Sequence, residues 1–417
     1  MKISFYLPIL FLVSLWACQS KKDTTQTATV TQNTQTDSLV IKAESYLQGS
    51  QEWQKQAGQV VLNQKGWLVV EGNLPTAGRY SVAITGTTAD TCTVWVEYYI
   101  DNPDGRTYNV TGNLVFLPTK TTQTVSVDGS PFKAGKHRFK IHTNAPINLD
   151  KIQFALLAKH QATPKSLTQN TTGKDWELVW SDEFDSNTID TTKWTYDIGN
   201  WGWGNNELQY YTQNRQENAR IENGVLLIEA RKNDMGQAWT SARLTTRGKV
   251  SFLYGKIEFR AKVPKEKGNW AAGWTLGDSY IDEIDWPYCG EIDILESVGY
   301  EVNEKGDGIA HATVHTPAYY FKINNQISSE KSIKKIGDEF HTYAVEWTPS
   351  TIRAFVDGQP YYLYDKNANE KEFPFTKPQN LILNLAMGGG WGGAKGMDST
   401  VTSQKFLIDY VRVYQRK

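Results

Sequence analysis

The sequence predicts an all-β chain: a small β-sandwich module followed by a larger C-terminal β-sandwich. Three observations predict it. Short runs rich in β-branched and aromatic residues recur from residue 39 to the C-terminus, divided by Gly, Pro, Asn and Asp turn signals. No long stretch carries helical period. The chain has 417 residues, enough for two or three domains, and a polar, Pro-containing stretch at 159–173 separates two sets of strands.

Residues 1–17 read as a targeting segment. Lys2 supplies the positive start, and the apolar run from Ile3 to Trp16 is too short to span a bilayer. Leu15-Trp16-Ala17-Cys18 has the form of a bacterial lipoprotein signal, with cleavage before Cys18 and lipid on its sulfur. Ordinary cleavage nearby, with secretion and Cys18 a bystander, is the alternative. Gln19 after the cysteine directs such a lipoprotein to the outer membrane. Residues 18–38, dominated by Thr, Gln and Ser, form a disordered polar tether.

The module at residues 39–158 contains strand patterns such as Trp67–Val70, Tyr80–Ile84, Thr93–Tyr99, Thr124–Val127 and His137–Ile141. Asn102-Pro103-Asp104-Gly105, Ala77-Gly78 and Ala134-Gly135 mark turns. Residues 159–173 are a linker that lets the modules reorient unless an interface fixes them. From residue 174 the strands resume, including Leu226–Ala230, Gly255–Val263, Ile292–Leu295, Tyr343–Trp347, Ile352–Val356, Leu381–Leu385 and Phe406–Tyr414.

Net charge is −1 and no basic run is sustained, which excludes nucleic acid as a partner. Fifteen Trp and 21 Tyr against 39% hydrophobic residues point to aromatic-rich cores or clefts. Cys92 and Cys289 fall in different modules and are expected as buried thiols.

The chemistry concentrates in Cys289-Gly290-Glu291-Ile292-Asp293-Ile294-Leu295-Glu296. On a strand, Glu291 and Asp293 share a face, and Glu296 has the wrong parity. One extra residue at Ile294-Leu295, a β-bulge, returns Glu296 to that face. Like charges crowded on one face destabilise a sheet, and no Lys or Arg lies within the run. The bland reading is a solvated edge strand. The flanking Trp286-Pro287-Tyr288 and His315 favour a sugar site instead, because a pyranose packs its C–H face on an aromatic ring. Two carboxylates on one face suit glycoside hydrolysis. Trp270, Trp274, Trp286 and Trp391 are ring candidates for a cleft, each with core packing as its alternative. His311 and His315, four residues apart, are a weak metal pattern without a third ligand. Gly388-Gly389-Gly390-Trp391-Gly392-Gly393 lacks the Lys-Ser/Thr of a phosphate loop and is expected to let backbone approach a substrate.

At these residues the chain resembles glycoside hydrolase family 16, in its bacterial laminarinase-like form with the bulged acidic strand. The resemblance covers about residues 174–417 and includes Trp180–Phe184, Trp203–Thr212, Gly255–Lys262, Val345–Thr348, Asn384–Gly389 and Asp409–Tyr414. It implies a jelly roll with a concave cleft and endo-acting, retaining hydrolysis of β-1,3-glucan (laminarin). Glu291 is then the nucleophile, Glu296 the acid/base, and Asp293 the residue that orients the nucleophile. Asn205, Glu207, Arg243 and His315 would contact substrate, with His315 near Glu296 or the sugar. No cofactor takes part in catalysis, but the resemblance implies a structural calcium on Glu183, Gly224 and Asp409. The partner is a β-glucan polysaccharide, the membrane is reached only through the lipid anchor, and a monomer is expected. Mixed-linkage β-1,3-1,4-glucan or a marine galactan are alternative substrates, and a non-catalytic glucan-binding surface protein is the alternative class. Residues 39–158 resemble a family 6-like carbohydrate-binding module, on Ile41–Tyr46, Pro75–Tyr80, Ala134–His137 and Leu149–Ile152. Trp67, Trp53 and Tyr46 are its sugar-binding candidates, and Glu44 and Asp150 its implied calcium ligands.

Overall fold

The computed structural model describes residues 37–98 and 107–417. The signal at 1–17, Cys18, the tether up to residue 36 and the Asn102–Gly105 turn lie outside the described residues. What is described is almost entirely strand, with three short 3-10 turns. No helix among the described residues is long and apolar enough to cross a membrane.

Two sandwiches follow one another. In the first, Ile147–Lys159 is central to one sheet, flanked by Gly78–Thr87 and Gln59–Leu62 and also pairing Ser38–Lys42. Gly135–Thr143 is central to the facing sheet, between Gly66–Leu74 and Cys92–Tyr98. Alternation explains the packing: Tyr80, Val82 and Ile84 point inward along one strand and Val94, Val96 and Tyr98 along another. The expected strands fall inside observed ones, and the Ala77-Gly78 and Ala134-Gly135 signals lie where strands begin. Trp53, a sugar-binding candidate, is buried core and donates to the Trp67 carbonyl. Trp67 and Tyr46 stay partly exposed. Asp150 is paired with Lys42 at 2.7 Å.

The second sandwich is a jelly roll. One sheet runs Ser166–Thr168, Ser251–Leu253, Gln379–Met387, Asn269–Gly277, Glu291–Val298, Gly308–His315, Ile327–Ile333. The other is centred on Ser403–Arg416, which pairs Val225–Asp234, Gly255–Lys262 and Trp176–Asp182. Between them lies an apolar core that includes Ile257, Phe259, Ile292, Leu383 and Val411. The first sheet turns its other face outward, and that face carries the acidic strand.

The stretch at 159–173 does not hang free. Ser166–Thr168 adds in parallel to Ser251–Leu253, His160 N–H donates to the Ala77 carbonyl, and the Thr163 hydroxyl donates to Asp278 at 2.9 Å. The two sandwiches share one continuous apolar cluster, reaching from Val96 and Phe132 to Trp201, Tyr280 and Trp286. Cys92 and Cys289 are free and buried, and burial pushes the Cys289 thiol well up, so it is packing rather than a nucleophile.

Candidate active site

The acidic strand Glu291–Val298 lies between Asn269–Gly277 and Gly308–His315. Gly273 stands opposite Leu295 and Trp274 opposite Asp293, so Ile294 is the extra residue of a bulge. Ile292, Ile294 and Leu295 all enter the core as a result. Glu291, Asp293 and Glu296 emerge together on the opposite face and line one cleft. The neighbouring strand supports them by plain alternation: Trp270, Ala272, Trp274 and Leu276 line the same cleft. Gly273 lies between them on the inner face, where an added Cβ would sit 2.2 Å from the Phe259 ring.

Each glutamate is held by an indole. Trp286 Nε1–H donates to Glu291 Oε2 at 3.0 Å, and Trp270 Nε1–H donates to Glu296 Oε1 at 2.9 Å. Trp274 donates to Asn384 Oδ1 at 2.7 Å, and Asn384 in turn donates to the Tyr211 hydroxyl. The Arg243 guanidinium sits 4.7 Å from the ring centroids of both Trp203 and Trp274, with Nε 3.0 Å from Asp197. Gln209 and Asn205 side-chain amides donate to Glu207 at 2.6 and 3.3 Å. Asn205, Glu207, Arg243, Trp270, Trp274 and Trp286 therefore all line the cleft beside the acids.

Burial and mutual repulsion dominate the electrostatics. Burial, then the charge of Glu296, pushes Glu291 up to about 8, against the Trp286 hydrogen bond. Burial pushes Glu296 up to about 7, against the Trp270 hydrogen bond. Asp293 is raised well above its ordinary value by burial, then by both glutamates and by a hydrogen bond shared with Glu291. Three carboxyls this close resist ionising together, so the group retains protons at neutral pH. Asp293 as the protonated member would donate to Glu291. Burial also lifts Glu207 to about 7.

His315 and Trp391 are not part of the cleft lining. The resemblance put His315 near Glu296 or the sugar; in the strand register it pairs opposite Glu291 and not Glu296, with Nε2 3.4 Å from Asp293 and 3.8 Å from Glu291. Burial lowers it to about 4, so it is neutral. The strand register gives the reason, since the residue opposite Glu296 is His311. His311 bonds Glu301 at 2.7 Å, so the two histidines do not converge on a metal. Glu291, Asp293 and His315 offer ligand atoms within 4.8 Å of one another, and two of the three are the acids that line the cleft. Trp391 packs edge-on against Trp270 and His311. The glycines around it approach protein: Gly390 N–H donates to the Asn205 carbonyl, and a Cβ on Gly388 would lie 2.6 Å from Leu208. The loop thus packs closely on the Asn205–Leu208 turn, from which Asn205 and Glu207 line the cleft.

The implied calcium ligands do not fit an ion as arranged. Arg412 grips both oxygens of Glu183, at 3.0 and 2.7 Å, and Arg260 pairs with Asp409 at 2.5 Å. Gly224 forms a left-handed turn between two strands. A hard cation needs oxygens not already neutralised by guanidinium.

Several cleft residues escaped sequence reasoning. Asn384 and Trp203 head the blocks Asn384–Gly389 and Trp203–Thr212 and carry no local signal that separates a cleft residue from a core one. Tyr280, Glu283 and Lys322 come from loops with no pattern of their own. Arg79 comes from the other sandwich.

Residues 206–412 match the model of glycosyl hydrolases family 16. A β-glucanase of Rhodothermus marinus is 47% identical over 249 residues, 58% of this chain and 85% of the relative. The chain belongs to glycosyl hydrolases family 16. A glucan endo-1,3-β-glucosidase of Cryptopygus antarcticus is 34% identical, covering 57% of this chain and 91% of its own length. Among solved structures, the laminarinase from Rhodothermus marinus superposes with a TM-score of 0.54 at 47% identity, covering 58% of this chain and 98% of the laminarinase. This family 16 glycoside hydrolase thus carries its family's likeness on the second sandwich.

Proposed function

We propose that this glycoside hydrolase is an endo-acting, retaining β-1,3-glucanase. The observation that carries the reading is the bulged strand, which brings Glu291 and Glu296 into one cleft with an indole on each. Relatives named for β-1,3-glucan support the substrate class. A chain passing over Trp270, Trp274 and Trp286 stacks its sugars on rings while its hydroxyls meet Asn205, Glu207, Arg243 and Asn384.

Burial raises both glutamates, and the coupled pair shares its proton; in the reactive form Glu291 is ionised and attacks the anomeric carbon while protonated Glu296 gives its proton to the departing glycosidic oxygen. One carbon–oxygen bond breaks as the ester to Glu291 forms. Glu296 then takes a proton from water, whose oxygen displaces Glu291 and restores the starting acid. Loss of negative charge on Glu291 relaxes its repulsion of Glu296, so Glu296 stays ionised after giving up its proton and is free to act as the base of the second step. Asp293, donating to Glu291, holds the attacking oxygen in place and stabilises it as a leaving group.

The test is hydrolysis of laminarin, lichenan, curdlan and agarose by the wild-type protein and by Glu291→Gln and Glu296→Gln. Wild type is expected to release oligosaccharides from laminarin, and each variant to lose at least about a thousandfold in kcat. Azide should rescue a Glu291→Gly variant as a glycosyl azide. Near-wild-type turnover by either glutamine variant removes the role assigned to that residue. Release from agarose but not laminarin moves the enzyme to galactans.

A further inference from the structure

The first sandwich builds part of the cleft. Arg79, on its strand Gly78–Thr87, lines the cleft beside Tyr280 and Glu283. Its Nη2 lies 3.4 Å from Asp197, and its guanidinium lies 5.9 Å from the Tyr280 ring centroid. Asp197 already holds Arg243 at 3.0 Å and Arg247 at 2.9 Å. One buried carboxylate does not need three guanidiniums, and drawing a third charge out of water is unfavourable unless something else uses it. Arg79 Nη1 is buried without a hydrogen-bond acceptor among the described residues.

The interface between the sandwiches that carries Arg79 is closely packed. Gly129 and Gly199 meet back to back: a Cβ on the first would lie 2.0 Å from the Ile198 carbonyl oxygen, and one on the second 1.9 Å from that of Asp128. Asn200 N–H donates to the Asp128 carbonyl at 3.0 Å, and Asp128 N–H to Asn200 Oδ1 at 2.9 Å. Asp282, fully buried in the loop before the acidic strand, accepts from the Tyr98 hydroxyl and from Lys133 N–H. The Tyr108 hydroxyl donates to the carbonyl of Trp286, whose indole holds Glu291. A side chain mounted on so rigid a wall loses little freedom when it binds.

We propose that the N-terminal sandwich is a fixed wall of the substrate cleft, and that Arg79 is a substrate-contacting residue donating hydrogen bonds to hydroxyls of a bound glucan sugar. The assignment rests on the glucanase reading. Arg79 pairs with Asp197 and not with the acids, so its contact acts on binding and not on bond cleavage. Its loss weakens ground state and transition state alike, which raises KM and leaves kcat nearly unchanged. Losing a sugar subsite also changes where a long chain is cut.

The experiment compares full-length wild type, Arg79→Gln and Arg79→Lys on laminarin, reading KM, kcat, the ladder of products and Tm. Asp197 keeps two arginines in either variant, so both should stay folded. Expected are a KM raised about five- to thirtyfold in Arg79→Gln, kcat within about twofold, and a shifted product ladder. Arg79→Lys, which loses the planar fork, should rise less. If Arg79→Gln proves unstable, Arg79→Lys is the deciding variant. Wild-type KM and product ladder in a folded variant overturn the proposal. So does a fall in kcat and Tm together at unchanged KM, which would make Arg79 structural. A wild-type protein inactive on every β-glucan sinks the glucanase reading instead, a result read before any variant is made.

Discussion

Trp270 and Trp286 decide how the two glutamates titrate. Each indole donates to a carboxyl oxygen, favours the ionised form and so opposes the rise that burial imposes. A proton donor must be protonated to work, so activity falls as pH rises through the pKa of Glu296, about 7. Trp270→Phe removes the donor but keeps a ring, and the pKa of Glu296 should climb further. A hydrogen bond to a charged group is worth about 1.5–3 kcal/mol, and one pKa unit about 1.36 kcal/mol. The alkaline limb of kcat should therefore move up by roughly one to two units. A limb that stays put, or moves down, removes Glu296 from the donor role. The same burial has a stability consequence. Glu291 has a folded pKa above its ordinary value, 4.5 rising to about 8. The folded state then binds the proton more tightly than the unfolded state. Its contribution to stability is fully present below about 4.5 and is lost as pH rises through 8. Glu291→Gln cannot ionise, so its Tm should exceed wild type at pH 8 and match it near pH 5; the reverse order, read by calorimetry, contradicts the burial argument.

At the scale of the element, the acidic strand works because of one inserted residue. Ile294 and Leu295 both turn inward, and the strand resumes with Glu296 on the outer face. Parity alone called for this bulge, since three acids in six residues could not otherwise share a side. The partner strand accommodates it at Gly273, against Phe259. Gly273→Ala should overpack that contact at about 1–3 kcal/mol, enough to lower Tm by several degrees, because the ring is fully buried and cannot swing away. An unchanged Tm would mean that the sheets separate more easily than their packing suggests. Strands such as Ile352–Val356 and Gly255–Lys262 were legible for the same reason as the bulge: alternation is local and has a fixed period. The Gly-rich loop at 388–393 was not, since glycine marks close approach without saying to what. Its neighbour is the Asn205–Leu208 turn, nearly two hundred residues away in sequence.

At the scale of the whole molecule, the two sandwiches behave as one body. They share an apolar cluster, a buried aspartate and a backbone-to-backbone contact at two glycines. Interfaces between domains of one chain are ordinarily more polar and allow relative motion. Here the shared core predicts a single cooperative thermal transition over both sandwiches. Two resolved transitions by calorimetry would show that the interface contributes little.

The sequence by itself determined the all-β class, the run of strands, the bulge and the three acids it gathers, because each follows from a short repeat that side chains cannot escape. The family blocks carried the polar cleft residues with them. Only the tertiary structure decided that His315 serves Asp293 and Glu291, that Glu183 and Asp409 belong to arginines, and that Arg79 reaches the cleft. Those outcomes depend on register and on which strands become neighbours, and for Glu183, Asp409 and Arg79 the partners lie more than a hundred positions away, which leaves no mark on the local pattern of either.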